Sequence, residues 1–462
     1  MRSRNDLIAA LQHDADEIIR IYLRGGSDQP SSAVYGGAAE LLAHALRLVE
    51  DDGLYRNTIE ARKLFLEGYV IIRRDERPRY AEAVEKLRRA IELQPEAAYA
   101  YNALGLAYLD LDRFEDAERY IREAIDRAPR WTYPRNLLGI LRDERRDYGA
   151  AIRAYGVVLE LDYAAYYALN NLGNTYWNLG RYQEAERLYR RSIAADSTRG
   201  LAHANLAQLY RTKGRYADAQ GEAAEAMRLD CANVDRPFWI WPRLVQGWLY
   251  QELTKHDSRN EALAERAFLA AAEQAPFDPR PLSALGNVYR ARGDYERAES
   301  MYRRAIANDS AYTWGWAGLG YLLHDLQRLG RTGVSDDEGY ARAEQAFRAA
   351  IPRAAHPSEP LDNLGDYARW RGQNDADTER AQRWYQLADS AYRAAVTHDT
   401  LFLEAYYDLG RLNEDRGDDD RAERWYRQAE RIGSAIVAPG STQSHLSRRT
   451  GSASSSTDGR CG

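Results

Sequence analysis

Glycine or alanine returns every 34 residues through the first half of the chain, at Gly105, Gly139, Gly173 and Ala207. A second series of small residues keeps the same interval, at Ala83, Ala117, Ala151, Ala185 and Ala219. Two small residues locked to one period bring two helices per unit into close contact at fixed points. A period of this size marks units that stack side by side, each contacting only its neighbours. A length of 462 residues would otherwise allow several globular domains, but a stacked array needs no separate cores.

Residues 98–131 hold one unit whole. Leu104, Gly105 and Tyr108 mark a first helix, Ala117, Ile121 and Ala124 a second, and Pro129 ends it. Apolar residues at i, i+3, i+4 and i+7 lay one stripe along each helix, and proline cannot continue a helix interior. This order of residues resembles the tetratricopeptide repeat. Gly173, Tyr176, Ala185 and Tyr189 repeat it, as do Gly286, Tyr289, Ala298, Tyr302 and Ala305. The resemblance implies an all-α fold, a right-handed α-solenoid of about ten tetratricopeptide-like helix pairs.

The predicted organisation has three parts. Residues 1–61 read as an N-terminal helical cap, a degenerate helix pair. Residues 62–435 read as the solenoid, with expanded repeats near 240–278, 313–357 and 358–402. Residues 436–462 are polar and Gly/Ser-rich, and read as a disordered tail. Gly320, Gly365 and Gly410 are 45 residues apart, which places insertions at 326–339 and 371–386, where paired helices turn. Both are expected as surface loops or as an edge platform for a partner. No extra polar helix follows the last unit. The last helix, Arg421 to Ile432, is therefore expected to leave Trp425 partly uncovered, as an end for self-association.

Composition narrows the function. A net charge of −6 and a pI near 5.9 give no basic footprint, so neither nucleic acid nor a membrane is expected as a partner. The basic residues are nearly all arginine, with Lys63, Lys86, Lys213 and Lys255 the only lysines, as in a GC-rich bacterial genome. Cys231 and Cys461 are too few for a disulfide scaffold or a zinc cluster; Cys231 reads as a packed thiol. The N-terminus has a short apolar run, Leu7 to Leu11, soon followed by acids, which is no signal peptide. No stretch nears the ~20 apolar residues a membrane span needs. The expected location is cytoplasmic. Phosphate-loop, zinc-protease and nucleophile-elbow patterns are missing, and acid pairs such as Asp143–Glu144 read as solvated helix ends. No catalytic residue, metal site or cofactor is expected, and the chain is not expected to be an enzyme.

The resemblance also implies where a ligand binds. In this family the first helix of each pair lines the concave face. With the small residue counted as position 8, positions 2, 5, 6, 9, 12 and 13 point inward. Position 5 holds Asn102, Asn136 and Asn170; position 6 holds Asn171, Asn205 and Asn363; position 9 holds Asn174 and Asn287. An amide offers a donor and an acceptor, matching an extended peptide backbone. The pattern resembles the superhelix of O-GlcNAc transferase, without its catalytic domain. Aromatic residues interleave: Tyr99, Tyr133 and Tyr167 at position 2, then Trp177, Trp241, Trp248, Trp314, Tyr321 and Trp370. Such rings dominate binding hot spots. Arg211 and Arg290 lie midway. Asp362, Asp366, Glu404, Asp408, Glu414 and Asp415 lie late, interleaved with Arg369 and Arg411, which favours a basic segment there. The expected function is a non-catalytic protein–protein interaction scaffold or regulator holding an extended segment of a partner protein in its concave groove. The alternatives are a receptor for a peptide or small signalling ligand, or the regulatory subunit of a multiprotein enzyme complex.

Overall fold

A computed structural model describes residues 4–24, 30–49, 53–74, 76–230, 240–255, 257–333, 335–354, 356–400 and 402–437. The described residues form 22 α-helices and no strand. Helices α1 (Arg4–Arg24) and α2 (Ser32–Leu48) come first, and α3 (Gly53–Arg73) pairs with α4 (Tyr80–Leu93). Next come α5 (Ala98–Leu109) with α6 (Phe114–Arg127), α7 (Thr132–Glu144) with α8 (Tyr148–Leu161), and α9 (Tyr166–Asn178) with α10 (Tyr182–Ala195). Then follow α11 (Gly200–Thr212) with α12 (Tyr216–Asp230), α13 (Ile240–Leu253) with α14 (Arg259–Gln274), and α15 (Pro279–Arg292) with α16 (Tyr295–Asn308). The last are α17 (Thr313–Arg328) with α18 (Asp336–Ala350), α19 (Ser358–Asn374) with α20 (Thr378–His398), and α21 (Leu403–Asp415) with α22 (Asp419–Val437). The chain divides into two compact units, residues 1–177 with 182–246, and residues 178–181 with 247–462.

The periodic glycines explain the pairing. A Cβ added to Gly173 would stand 2.6 Å from Tyr189 Cε1, and one on Gly365 would stand 2.4 Å from Tyr392 Cε1. The same approach recurs between Gly139 and Tyr155, Gly286 and Tyr302, and Gly410 and Tyr426. A ring of the second helix thus lies flat on the first helix, where only hydrogen fits. Ala117, Ala151, Ala185 and Ala298 answer from the second helices, each fully buried. Six of the first helices, α5, α7, α9, α11, α15 and α21, are followed by a left-handed residue seven positions after the small residue. Gly180, Gly214, Gly293 and Gly417 serve there, and Asp112 and Arg146 hold the same conformation at φ 56° and 57°.

The two predicted insertions differ in kind. The segment 371–386 is helix, not a loop: only residues 375–377 separate α19 from α20. Both helices are simply longer, and they repeat the close contact at Gly372, whose Cβ would meet Tyr385 Cε1 at 2.6 Å. The segment 326–339 does contain a turn, with Gly330 and Gly333 at positive φ. At the last helix, Trp425 is partly uncovered, as expected. Trp425 is half-buried, 6.1 Å from the Tyr406 ring and 5.1 Å from the Arg393 guanidinium. The neighbouring exposed positions of α22, Arg421, Glu423, Arg424, Arg427, Gln428, Glu430 and Arg431, are all polar, so the last helix supplies its own solvated face. Cys231, Cys461 and the predicted tail from residue 438 onward lie outside the described residues.

First helices of successive pairs touch: α3 meets α5, α5 meets α7, α15 meets α17, α17 meets α19, and α19 meets α21. Second helices do not come as close to one another among the described residues. Within each unit this places the first helices on the inner side of the curve.

Candidate functional site

In the first unit, the inner face is tied together by amides. Asn171 Nδ2 donates to Asn136 Oδ1 across one repeat at 3.1 Å, and Asn205 Nδ2 donates to Asn170 Oδ1 at 2.9 Å. Asn205 Nδ2 also reaches Asn174 Oδ1 at 3.0 Å, and its own Oδ1 accepts from Trp241 Nε1 at 2.6 Å. Asn170 Nδ2 approaches Asn171 Oδ1 at 3.4 Å. The amides link α7, α9, α11 and the start of α13 into one chain of hydrogen bonds. Tyr189 Oη donates into it at Asn174 Oδ1, 2.7 Å away.

This arrangement divides the predicted asparagines. Asn102, Asn136, Asn170 and Asn205 are only 4%, 8%, 2% and 7% exposed, and they bond to the protein itself. A buried amide left unbonded costs about 1–3 kcal/mol, so these four are supports, not open rungs. Asn171, Asn174, Asn287 and Asn363 are half-buried. Asn287 accepts from Tyr302 Oη at 2.7 Å, as Asn174 does from Tyr189.

The aromatic positions divide in the same way. Tyr99 is buried, with its hydroxyl on Gln94 Oε1 at 2.8 Å and its ring 4.6 Å from Phe65. Tyr133 and Tyr167 lie 4.9 Å apart, and the Tyr167 hydroxyl meets Thr132 Oγ1. Trp248 lies 6.4 Å from Phe268, Tyr321 lies 5.0 Å from Phe347, and Trp370 lies 4.3 Å from His324. Trp177 and Trp241 are half-buried, and Trp314 is 50% exposed. Arg211 holds Gln208 Oε1 at 3.0 Å.

Asp143 was expected to be solvated and is not. Its Oδ2 accepts from Thr175 Oγ1 at 2.7 Å and from Tyr155 Oη at 3.0 Å, joining α7, α8 and α9. Its Oδ1 is buried with no hydrogen-bond partner among the described residues. Burial pushes its pKa up to about 7, against the pull of the two hydroxyl donors.

In the second unit, the inner face is ionic. Arg290 on α15 pairs with Asp325 on α17 at 2.6 Å, and Arg369 on α19 pairs with Asp415 on α21. Both pairs join position 12 of one first helix to position 13 of the next. Asp362, Asp366 and Asp408 meet with oxygens within 4.8 Å of one another. They occupy positions 5, 9 and 6, the register of Asn170, Asn174 and Asn205. Tyr392 Oη donates to Asp366 Oδ1 at 2.8 Å, as Tyr189 does to Asn174. Arg411 holds Asp408 at 3.2 Å. These carboxylates have the donor set to hold a cation, and they are the one such group among the described residues. Nearby, burial lowers the pKa of His324 to about 4. The sequence lists these residues, but their pairing across repeats emerges only from the structure.

No helix among the described residues is long and apolar enough to cross a membrane. Family models described as TPR repeat or tetratricopeptide repeat match residues 76–112, 98–131, 167–195, 282–311 and 375–435. No curated protein sequence matches the chain. Among solved structures, a monomeric mutant of IFIT1 with m7Gppp-AAAA, its cap in the anti conformation, is 13% identical with a TM-score of 0.50. That match covers 91% of this chain and 95% of the other. The human IFIT1 dimer with m7Gppp-AAAA is 13% identical, covers 86% of this chain and 94% of its own, and has a TM-score of 0.49. The same human dimer with PPP-AAAA is 14% identical over the same shares, with a TM-score of 0.48.

The exclusion of nucleic acid as a partner is corrected, since an IFIT1 mutant of similar fold is solved with m7Gppp-AAAA. Net charge sums the whole surface and does not report the charge of one face. The repeated matches, the helix pairs and the glycine–ring contacts agree: the chain is a tetratricopeptide repeat protein, a helical binding scaffold.

Proposed function

We propose that the protein is a non-catalytic scaffold that holds an extended segment of a partner protein along the inner face of α9 and α11. The supporting observation is the amide chain from Asn136 to Trp241, which fixes its outer members in place. Asn171, Asn174, Gln208 and Arg211 are half-buried along this row, beside Trp177 and Trp241. Asn171 and Asn174 are held by the buried amides behind them and Gln208 by Arg211, so little ordering remains to oppose binding. Each backbone hydrogen bond contributes about 0.5–1.5 kcal/mol net, and aromatic anchors contribute the rest. The acidic inner face of the second unit, with Asp362, Asp366 and Asp408 together, suits a partner with basic side chains.

The experiment presents the full chain with a library of extended ten-residue peptides and, separately, with m7Gppp-AAAA. The reading expects selected peptides to bind. It expects Gln208→Ala with Arg211→Ala, which lie on the row but outside the amide chain, to weaken them at least tenfold with helicity unchanged. Binding of the oligonucleotide alone, or peptide affinities indifferent to both changes, overturns it. Asn205 is avoided as a test site because its loss would disturb the fold.

A further inference from the structure

In a stacked array, a helix touches its own partner and the adjacent units. Helix α1 does not obey this. The Tyr22 ring lies 5.2 Å from Phe65 and 4.8 Å from Tyr69 on α3, and 6.5 Å from Tyr133 on α7. It also lies 5.6 Å from Trp131, which caps α7. The Tyr22 hydroxyl accepts from Asn102 Nδ2 on α5 at 2.8 Å. One side chain of α1 therefore meets the first helices of three successive pairs. Further back, Asp16 pairs with Arg62 on α3 at 2.6 Å, and Gln12 Oε1 accepts from Tyr55 Oη. A helix of 21 residues is about 30 Å long, enough to cross three helices packed about 8–10 Å apart.

Besides packing along α2, α1 lies across the first-helix face as a bound helix would. Ile8, Ala15, Ile19 and Tyr22 form one buried stripe, while His13, Asp14, Arg20 and Arg24 remain exposed. Asn102 stands at position 5, where Asn136 and Asn170 bond to the next repeat. Here the amide bonds instead to α1.

We propose that the inner face of α3, α5 and α7 is a receptor for an amphipathic helix, that α1 is its resident occupant, and that a partner helix of matching chemistry displaces α1. The matching helix carries an apolar stripe, an acidic residue facing Arg62, and a tyrosine six positions later reaching Asn102. This is groove recognition of a helix. It rests on the reading that the first-helix face carries ligands, but it concerns pairs away from the Asn171 row.

The probe is a fluorescein-labelled peptide of residues 4–24, titrated by anisotropy into the full-length protein. The wild-type chain should bind it weakly, because the tethered copy competes at high effective concentration. Asp16→Arg with Tyr22→Ala in the full chain should release α1, seen as faster hydrogen exchange over residues 4–24. That variant should bind the peptide at least tenfold more tightly than wild type. Tyr22→Ala in the peptide, or Asn102→Ala in the released chain, should reverse the gain. A released chain that keeps α3 to α7 protected yet does not bind the peptide overturns the proposal. Loss of protection in α3 to α7 also overturns it, since α1 would then be core, and continued protection of residues 4–24 shows that these two contacts do not seat the helix. Peptide capture on the Asn171 row is read separately and is untouched by any of these results.

Discussion

The two units solve one problem in two chemistries. Successive first helices must be held in register across a polar inner face. In the first unit, neutral amides do this, from position 5 to position 6 of the next repeat, at Asn136–Asn171 and Asn170–Asn205. In the second unit, ion pairs do it, from position 12 to position 13, at Arg290–Asp325 and Arg369–Asp415. An amide carries both donor and acceptor, so a row of them is self-sufficient and indifferent to salt. An ion pair gains more per contact, but it is desolvated at a cost and screened by ions. The backbone arrangement is shared, and the response to conditions differs.

The largest expected effect tests the amide side. Asn205→Ala removes the donor serving Asn170 and Asn174 and the acceptor serving Trp241. At about 1–3 kcal/mol for each buried group left unbonded, the loss should be roughly 3 kcal/mol, read by urea unfolding, and equal at low and high salt. Hydrogen exchange should rise first in α9 and α11. Arg369→Met tests the ionic side and should be smaller, about 2 kcal/mol, because the pair is about one-fifth exposed. Its effect should shrink between 0.05 and 1 M sodium chloride. A salt-dependent Asn205 variant, or a salt-independent Arg369 variant, breaks the contrast.

pH should separate the units in opposite directions. The Asp143 carboxyl titrates near 7 when folded, against about 3.9 in an unfolded chain. The folded state therefore holds the proton longer, and that stabilisation is lost as pH rises through 7. His324 titrates near 4 when folded, against about 6.5 unfolded. Its stabilisation is lost as pH falls from 6.5 toward 4. Local hydrogen exchange should show α7 to α9 loosening as pH rises from about 4 to about 7, and α17 to α19 loosening as pH falls from about 6.5 to about 4. Asp143→Asn and His324→Gln should each flatten their own profile and leave the other alone.

The fold was legible because its signal is steric and periodic: a glycine meets a ring at fixed spacing, and both residues can be counted. The inner face was legible as positions. Asn136, Asn170, Asn171 and Asn205 do stand where the spacing places them. What the spacing could not show is what each amide bonds to, because the partner sits one repeat away and depends on side-chain reach. Asp143 beside Glu144 looked like a solvated helix end. Only the Tyr155 and Thr175 hydroxyls, brought from two other helices, make it a desolvated link. The extension of α19 and α20 was missed because charged residues around 371–386 read equally well as loop or as exposed helix. Gly372 against Tyr385 was the available clue. The reach of α1 had no periodic signature, since it departs from the nearest-neighbour rule that makes repeats readable.

The smallest effect bears most directly on whether the two units are variants of one design. Asp362, Asp366 and Asp408 replace Asn170, Asn174 and Asn205 position for position, with the tyrosine donor kept in both triads. A carboxylate at position 6 brings no N–H, whereas the amide there supplies the two bonds that close the first triad. Asp408→Asn restores those donors and removes one of three adjoining negative charges, at the expense of the Arg411 contact. The exchange should stabilise the second unit by about 0.5–1 kcal/mol, the net value of one hydrogen bond, with the gain largest at low salt. A loss of stability instead would mean that Arg411 and the clustered charge are what hold α19 to α21, and that the second triad is a different device in the same three positions.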